Sequence, residues 1–278
     1  MHALKLRLRR LQHEGGSRMT TQDFILTLFC QIDDQMALGP KRPDAQLYPR
    51  EVVTLALLLA SKGVGTRAFY RWLRRDYQAW FPHVPERTRV FRLVKPHAAW
   101  TAQFLAAPTV LGVADSYGIE FIHPMREGRS PQQIGKTGPS HHRWIVGGKL
   151  CVVLNQGGLV WAWDGATANV HDAHFHPLIA QCVDTMMVLT DTGVHAKTGD
   201  PVHMKVCPRG TWNGRMLVET ICSLWTTVVH GKQMRPRVWE YFHARVAWTM
   251  AAFNLLAPWG LEVEDDNFMH LSIAEFSL

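Results

Sequence analysis

The chain has 278 residues, of which 47% are hydrophobic and 19% charged, a balance that excludes an extended disordered polymer and allows one large or two smaller globular units. Its formal charge is +7 and its pI near 9.3, so a polyanionic partner suits it. Five scattered cysteines (Cys30, Cys151, Cys182, Cys207, Cys222) form no C-x-x-C pair and read as small buried residues in a reducing cytoplasm. The apolar block Val52 to Ala60 is too short for the ~20 residues of a membrane-spanning helix, so no membrane role is expected.

Residues 1–18 (MHALKLRLRRLQHEGGSR) are basic and lack the apolar core of a signal peptide. Such a stretch forms either a nucleic-acid-binding arm or an extension upstream of the true start. The second reading is preferred, and 1–19 is set apart as a basic N-terminal extension. From Thr20 the chain reads helical: Thr20 or Thr21 can cap, and Phe24, Ile25, Leu28, Phe29 and Ile32 recur at helical spacing. GPKRPD at 39–44 breaks that helix. Pro49 then stands at a first helical position, Val52 to Ala60 continue as an apolar helix, and Gly63 and Gly65 close it.

Thr66 is read as the cap of a further helix that turns Phe69, Trp72 and Leu73 inward and crowds Arg67, Arg71, Arg74 and Arg75 on another side. The stretch Glu86 to Ala106 carries Arg87, Arg89, Arg92 and Lys95 among apolar residues, and Pro96 is expected to split it into two helices. Basic residues interleaved with aromatics on short helices suit DNA phosphates, whereas any one arginine alone is more simply a solvated helix face. The region 20–107 is therefore expected to be all-helical and to contact DNA.

Past Pro108 the pattern becomes strand-like. Val110 to Ile122 (VLGVADSYGIEFI) is an apolar run with one carboxylate, Asp115, in its middle; burying such an acid is costly unless it has a partner, and a divalent metal is a common one. A basic, Gly-rich loop follows, from Arg126 to Arg143. Trp144 to Asn155 and Leu159 to Trp163 flank Gln156-Gly157-Gly158, a good hairpin turn. TANVHD, Thr167 to Asp172, reads as a turn with a helix cap from Asn169 or Asp172, ahead of a short helix from Phe175 to Val183. A second apolar run, Met186 to Val194, holds Asp191, and Val202 to Cys207 reads as another strand. Helices follow, one of which places Arg215 and Glu219 four residues apart on a shared face. An intrahelical ion pair is the plain explanation of that spacing. His171, His174 and His176 match no regular zinc spacing. No phosphate-binding P-loop, dinucleotide fingerprint or nucleophile elbow is present.

Taken in order, DSYGIEF, HRWIVGGKL, TANVHD, VLTD and RGTWNGRMLVETICSLW resemble bacterial insertion-sequence transposases of the DDE type over nearly the whole chain, from about Met19 to Leu278. The resemblance implies an α/β catalytic domain over 108–260, a ribonuclease-H-like mixed sheet flanked by helices, with 261–278 as a C-terminal tail. It implies a catalytic, metal-binding triad of Asp115, Asp191 and Glu219, spaced 76 and 28 residues apart, holding two Mg²⁺ (or Mn²⁺). Arg215 and Lys149 would face DNA phosphate, although a surface lysine at a strand end explains Lys149 equally well. The partners implied are element ends and target DNA, with assembly as a homodimer on DNA. The family's Tyr-two-Arg-three-Glu-six-Lys pattern is kept at Arg215 and Glu219, but Trp212 replaces the Tyr and Thr226 the Lys. Two alternatives stay open: a ribonuclease-H-like nuclease without strand transfer, and a catalytically silent DNA-binding relic.

Overall fold

The computed structural model describes residues 20–36, 43–140, 143–207, 223, 225, 226, 231 and 234–261. The described residues fall into two compact units, one within 20–97 and the other within 98–259.

In the first unit, α1 (Thr21–Gln35) opens on a capping box in which Thr20 and Asp23 exchange hydrogen bonds. It buries Phe24, Ile25, Leu28 and Ile32. Pro49 begins α2 (Pro49–Lys62), and Gly63, at φ +64°, ends it in the left-handed conformation that a residue without Cβ adopts readily. Every residue from Val52 to Ala60 is buried, which makes α2 the central helix of this unit. The next helix, α3 (Thr66–Asp76), is capped by Gly65, so Thr66 is its first residue and not its cap. It turns Phe69 and Leu73 inward, with Trp72 half-buried. Pro96 does split the following segment, into α4 (Arg87–Val94) and a 3₁₀ stretch, Pro96–Phe104.

The second unit is a mixed sheet between helices. Its strands are β1 (Leu111–Ile122), β2 (Lys136–Ser140), β3 (Arg143–Asn155), β4 (Val160–Thr167), β5 (Met187–Thr190) and β6 (Met204–Val206), in the order β2-β3-β1-β5-β6, with β4 also on β3. The β1–β3, β2–β3 and β3–β4 pairs are antiparallel, whereas β1–β5 and β5–β6 are parallel. The long β3 takes β2 along 143–147 and β4 along 148–154, both on the side away from β1.

Side chains alternate across each strand. The even positions of β1, with Cys151, Val153 and Val188, face a core completed by Phe175, Leu178, Ile179 and Cys182 around the short helix α5 (His176–Ala180). The odd positions, Val113, Tyr117, Ile119 and Phe121, are buried on the opposite face, where Phe121 meets Trp239 and Phe242 of α6 (Trp239–Leu261) at ring separations of 5.8 and 5.0 Å.

Two expectations change. The segment read as a loop from Arg126 to Arg143 contains β2, hidden by the Gly138-Pro139 pair. A side chain at Gly138 would strike the Ala168 carbonyl, so this strand requires the residue that sequence patterns count as a breaker. Residues 98–107, read with the helical region, pack with the sheet instead. Ala106 N–H donates to Val160 O, Asn155 Nδ2 to Ala107 O, and Asn254 Nδ2 to Phe104 O. Gln156-Gly157-Gly158 does turn the β3–β4 hairpin, with Gly158 at φ +72°.

Buried Asn254 is the clamp of this unit: its Oδ1 accepts from Val160 N–H at 2.8 Å, and its Nδ2 donates to the carbonyls of Val160 and Phe104 at 2.7 and 3.0 Å. An Asn254→Ala substitution strands the Val160 N–H and the Phe104 carbonyl, and should lower stability by about 2–4 kcal/mol. Urea denaturation of the wild-type and variant proteins measures it.

Candidate functional site

The site begins with strand register. β1 and β5 run parallel, with Leu111 opposite Met187, Gly112 opposite Val188 and Val113 opposite Leu189. The last paired residues, Val113 and Leu189, stand two positions before Asp115 and Asp191, so each acid follows the same register on neighbouring segments. Asp115 lies within its strand. Asp191 does not: β5 ends at Thr190, and Asp191 opens a turn in which its Oδ1 accepts the Gly193 N–H at 2.9 Å. An aspartate that accepts a hydrogen bond from the backbone two residues on ends a strand in this way. Both acids are half-buried.

A third carboxylate joins them. Asp172, from TANVHD, directs Oδ1 to Ser116 Oγ at 2.6 Å and to Lys149 Nζ at 2.8 Å. Ser116 follows Asp115 directly and donates its own backbone N–H to Asp115 Oδ1 at 2.8 Å. The other oxygen of Asp172 approaches Asp191 across Gly193. A Cβ on Gly193 would meet Asp172 Oδ2 and Asp191 Oδ1, each at 3.2 Å. The cap expected from Asn169 or Asp172 is supplied by His171, whose Nδ1 accepts from Ala173 N–H.

Lys149 is not a surface lysine at a strand end. It is 7% exposed, and its ammonium donates to Val170 O as well as to Asp172, both at 2.8 Å. The pleat directs it to the α5 side, where the sheet is covered and a free ammonium would be costly. A lysine amid the apolar residues of a long strand calls for a counter-charge, although its position alone does not say which acid supplies it.

Beyond Asp191 the chain forms a polar loop. Ala196 N–H and the His195 ring donate to Asp200 at 2.9 and 2.7 Å, and His176 Nε2 lies 2.7 Å from Val194 O. Among the described residues no group of three or more His, Cys, Asp and Glu gathers as a metal site. Glu219, expected as the third ligand, and Arg215 lie outside the described residues, as does Trp212; Thr226 is described and helical.

In the other unit the arginines are exposed as expected: Arg67, Arg71, Arg74 and Arg75 on α3, Arg89 and Arg92 on α4. Arg75 is held by its neighbour Asp76 through two hydrogen bonds of 2.7 and 2.8 Å, which leaves it less available to another anion. Arg67, Arg71 and Arg87 line an open groove of about 500 Å³ floored by Tyr70, whose hydroxyl donates to Pro85 O. None of these three is paired with an acid among the described residues. Arg87 and Tyr70 join the cluster only because α3 and α4 converge.

The Ala196 N–H and then the His195 ring hold the Asp200 carboxyl below the ordinary aspartate range. Its contribution to the loop is therefore present above that range and lost as pH falls through the lower native value. The Ala196 amide shift, followed by NMR, should inflect below about pH 3.9, and Asp200→Asn should abolish the inflection. No protein-family model, curated protein or solved structure matches this chain.

Proposed function

We propose that this chain is a DDE-type DNA transposase. It would cut one strand at an element end and join the freed 3′-OH to target DNA, as a dimer assembled on DNA. The observation that carries the reading is the parallel β1–β5 register, whose last pair, Val113 with Leu189, stands two residues before Asp115 and Asp191. Four strands joined by antiparallel pairs, followed by two parallel ones, with β1 and β5 neighbours, support a ribonuclease-H-like reading of the mixed sheet, to which β2 is an addition.

Carboxylate oxygens are the donors that a hard divalent cation takes, so Asp115 and Asp191 fit Mg²⁺ or Mn²⁺ in chemical type, with Glu219 assigned as the third ligand. When bound, such ions neutralise charge on a transferring phosphoryl group and favour ionisation of the attacking oxygen. The protein's own part is positional: β1 carries Asp115, β5 leads directly into Asp191, and the Asp191 turn holds one oxygen on the Gly193 N–H. Arg67, Arg71 and Arg87 would hold backbone phosphates in their groove, with Arg74, Arg89 and Arg92 extending the basic surface. The Trp212 and Thr226 departures favour a second reading, a DNA-binding relic without activity.

With labelled element-end DNA and Mg²⁺, the wild-type protein should nick and then join the strand. Asp115→Asn, Asp191→Asn and Glu219→Gln should each reduce nicking to background while DNA affinity holds. Nicking without joining identifies a nuclease, and binding without nicking a relic.

The arginine groove gives a separate expectation. In the full-length protein, Arg67→Ala with Arg71→Ala should weaken binding and flatten the dependence of log affinity on log salt by about 0.9 per lost phosphate contact. Fluorescence anisotropy across a salt series measures it, and an unchanged slope removes the groove from the interface.

A further inference from the structure

We infer that Asp172 is a positioning residue for the Asp115–Asp191 pair, with Lys149 as its fixed counter-ion; this rests on reading those two acids as metal ligands. The geometry points to it from two directions. On one side Asp172 Oδ1 accepts the Ser116 hydroxyl at 2.6 Å, and the backbone N–H of the same serine donates to Asp115 Oδ1 at 2.8 Å. On the other, Asp172 Oδ2 and Asp191 Oδ1 both approach Gly193, each 3.2 Å from where its side chain would begin. The carboxylate thus bonds the residue after one acid and faces the residue two past the other.

Alternation along β1 sets the form of this action. Asp115 shares its face with Tyr117, towards α6, whereas Ser116 lies with Ala114 on the α5 side. Asp172 therefore acts on Asp115 through the serine backbone and not by direct contact. Lys149 supplies what a third carboxylate in this position needs, a cation that neither solvent nor DNA must provide. Its second hydrogen bond, to Val170 O, ties the TANVHD loop to β3. Residues of this kind, which orient ligands without holding the ion, change metal affinity by about 10–100-fold when removed.

The test reads Mn²⁺ binding by the full-length protein, from the electron paramagnetic resonance signal of free Mn²⁺, beside melting temperature in metal-free buffer. Asp172→Asn is expected to weaken Mn²⁺ binding by about 10–100-fold, and nicking of element-end DNA by that variant should recover at saturating Mn²⁺. Ser116→Ala cuts only the serine link and should weaken binding in the same direction by a smaller factor. If Asp172→Asn fails to fold, Ser116→Ala decides alone. Folded variants that bind Mn²⁺ as the wild type does overturn the positioning role and leave the transposase reading standing. A wild-type protein that binds no Mn²⁺, or binds it equally well as Asp115→Asn and Asp191→Asn, overturns the metal reading and this inference together.

Discussion

The apolar alternation of β1, the strand that carries Asp115, is the constraint around which the sheet unit is built. Sliding a strand by one residue turns its side chains to the other face. Here the apolar alternation of β1 forbids the slide, because Tyr117, Ile119 and Phe121 would leave the α6 side. The burial that stabilises the sheet therefore also fixes the face on which Asp115 stands.

The other face holds a separate charge arrangement. Asp172 adds a negative group, yet Lys149 balances it from within the sheet, and Ser116 and Val170 take up the remaining hydrogen bonds. Breaking a pair of this kind by removing one partner costs about 3–5 kcal/mol where burial is complete, and less here, since the Asp172 side chain is 27% exposed. The pair therefore fixes position more than it contributes to stability. The loop beyond Asp191 is organised in the same economical way, with Asp200 holding a backbone amide and a histidine ring together.

Elements with strong local signals were legible in the chain. The capping box at Thr20, the proline at the start of α2, the glycine at its end and the Gly-Gly hairpin each act through backbone geometry a few residues wide. The strands that carry Asp115 and lead into Asp191 were legible as well, each as a short apolar run around one acid. What could not be read depends on distant contacts. β2 exists because Gly138 fits against Ala168, Lys149 is buried because α5 covers that face, and residues 98–107 follow the sheet because Asn254 reaches them. Asp172 was read as a turn residue because nothing local distinguishes a capping aspartate from one that meets a lysine 23 positions earlier. Arg87 stood in the sequence as one basic residue among several, and only the approach of α3 to α4 groups it with Arg67 and Arg71.

Asn254 carries an implication for synthesis. Its contact with Phe104 spans 150 residues, and its contacts with Val160 span 94. Such a closure cannot form on a nascent chain until nearly all of it has left the ribosome, and non-local closures of this kind slow folding. During that interval β4 has β3 beside it, while the Val160 N–H that Asn254 will cover remains open to another donor or acceptor. Open strand edges recruit other chains. Premature arrest of translation between β6 and α6 would therefore leave a polypeptide with all six strands made and one adhesive border, for which chaperone capture, rather than further folding, is the productive fate.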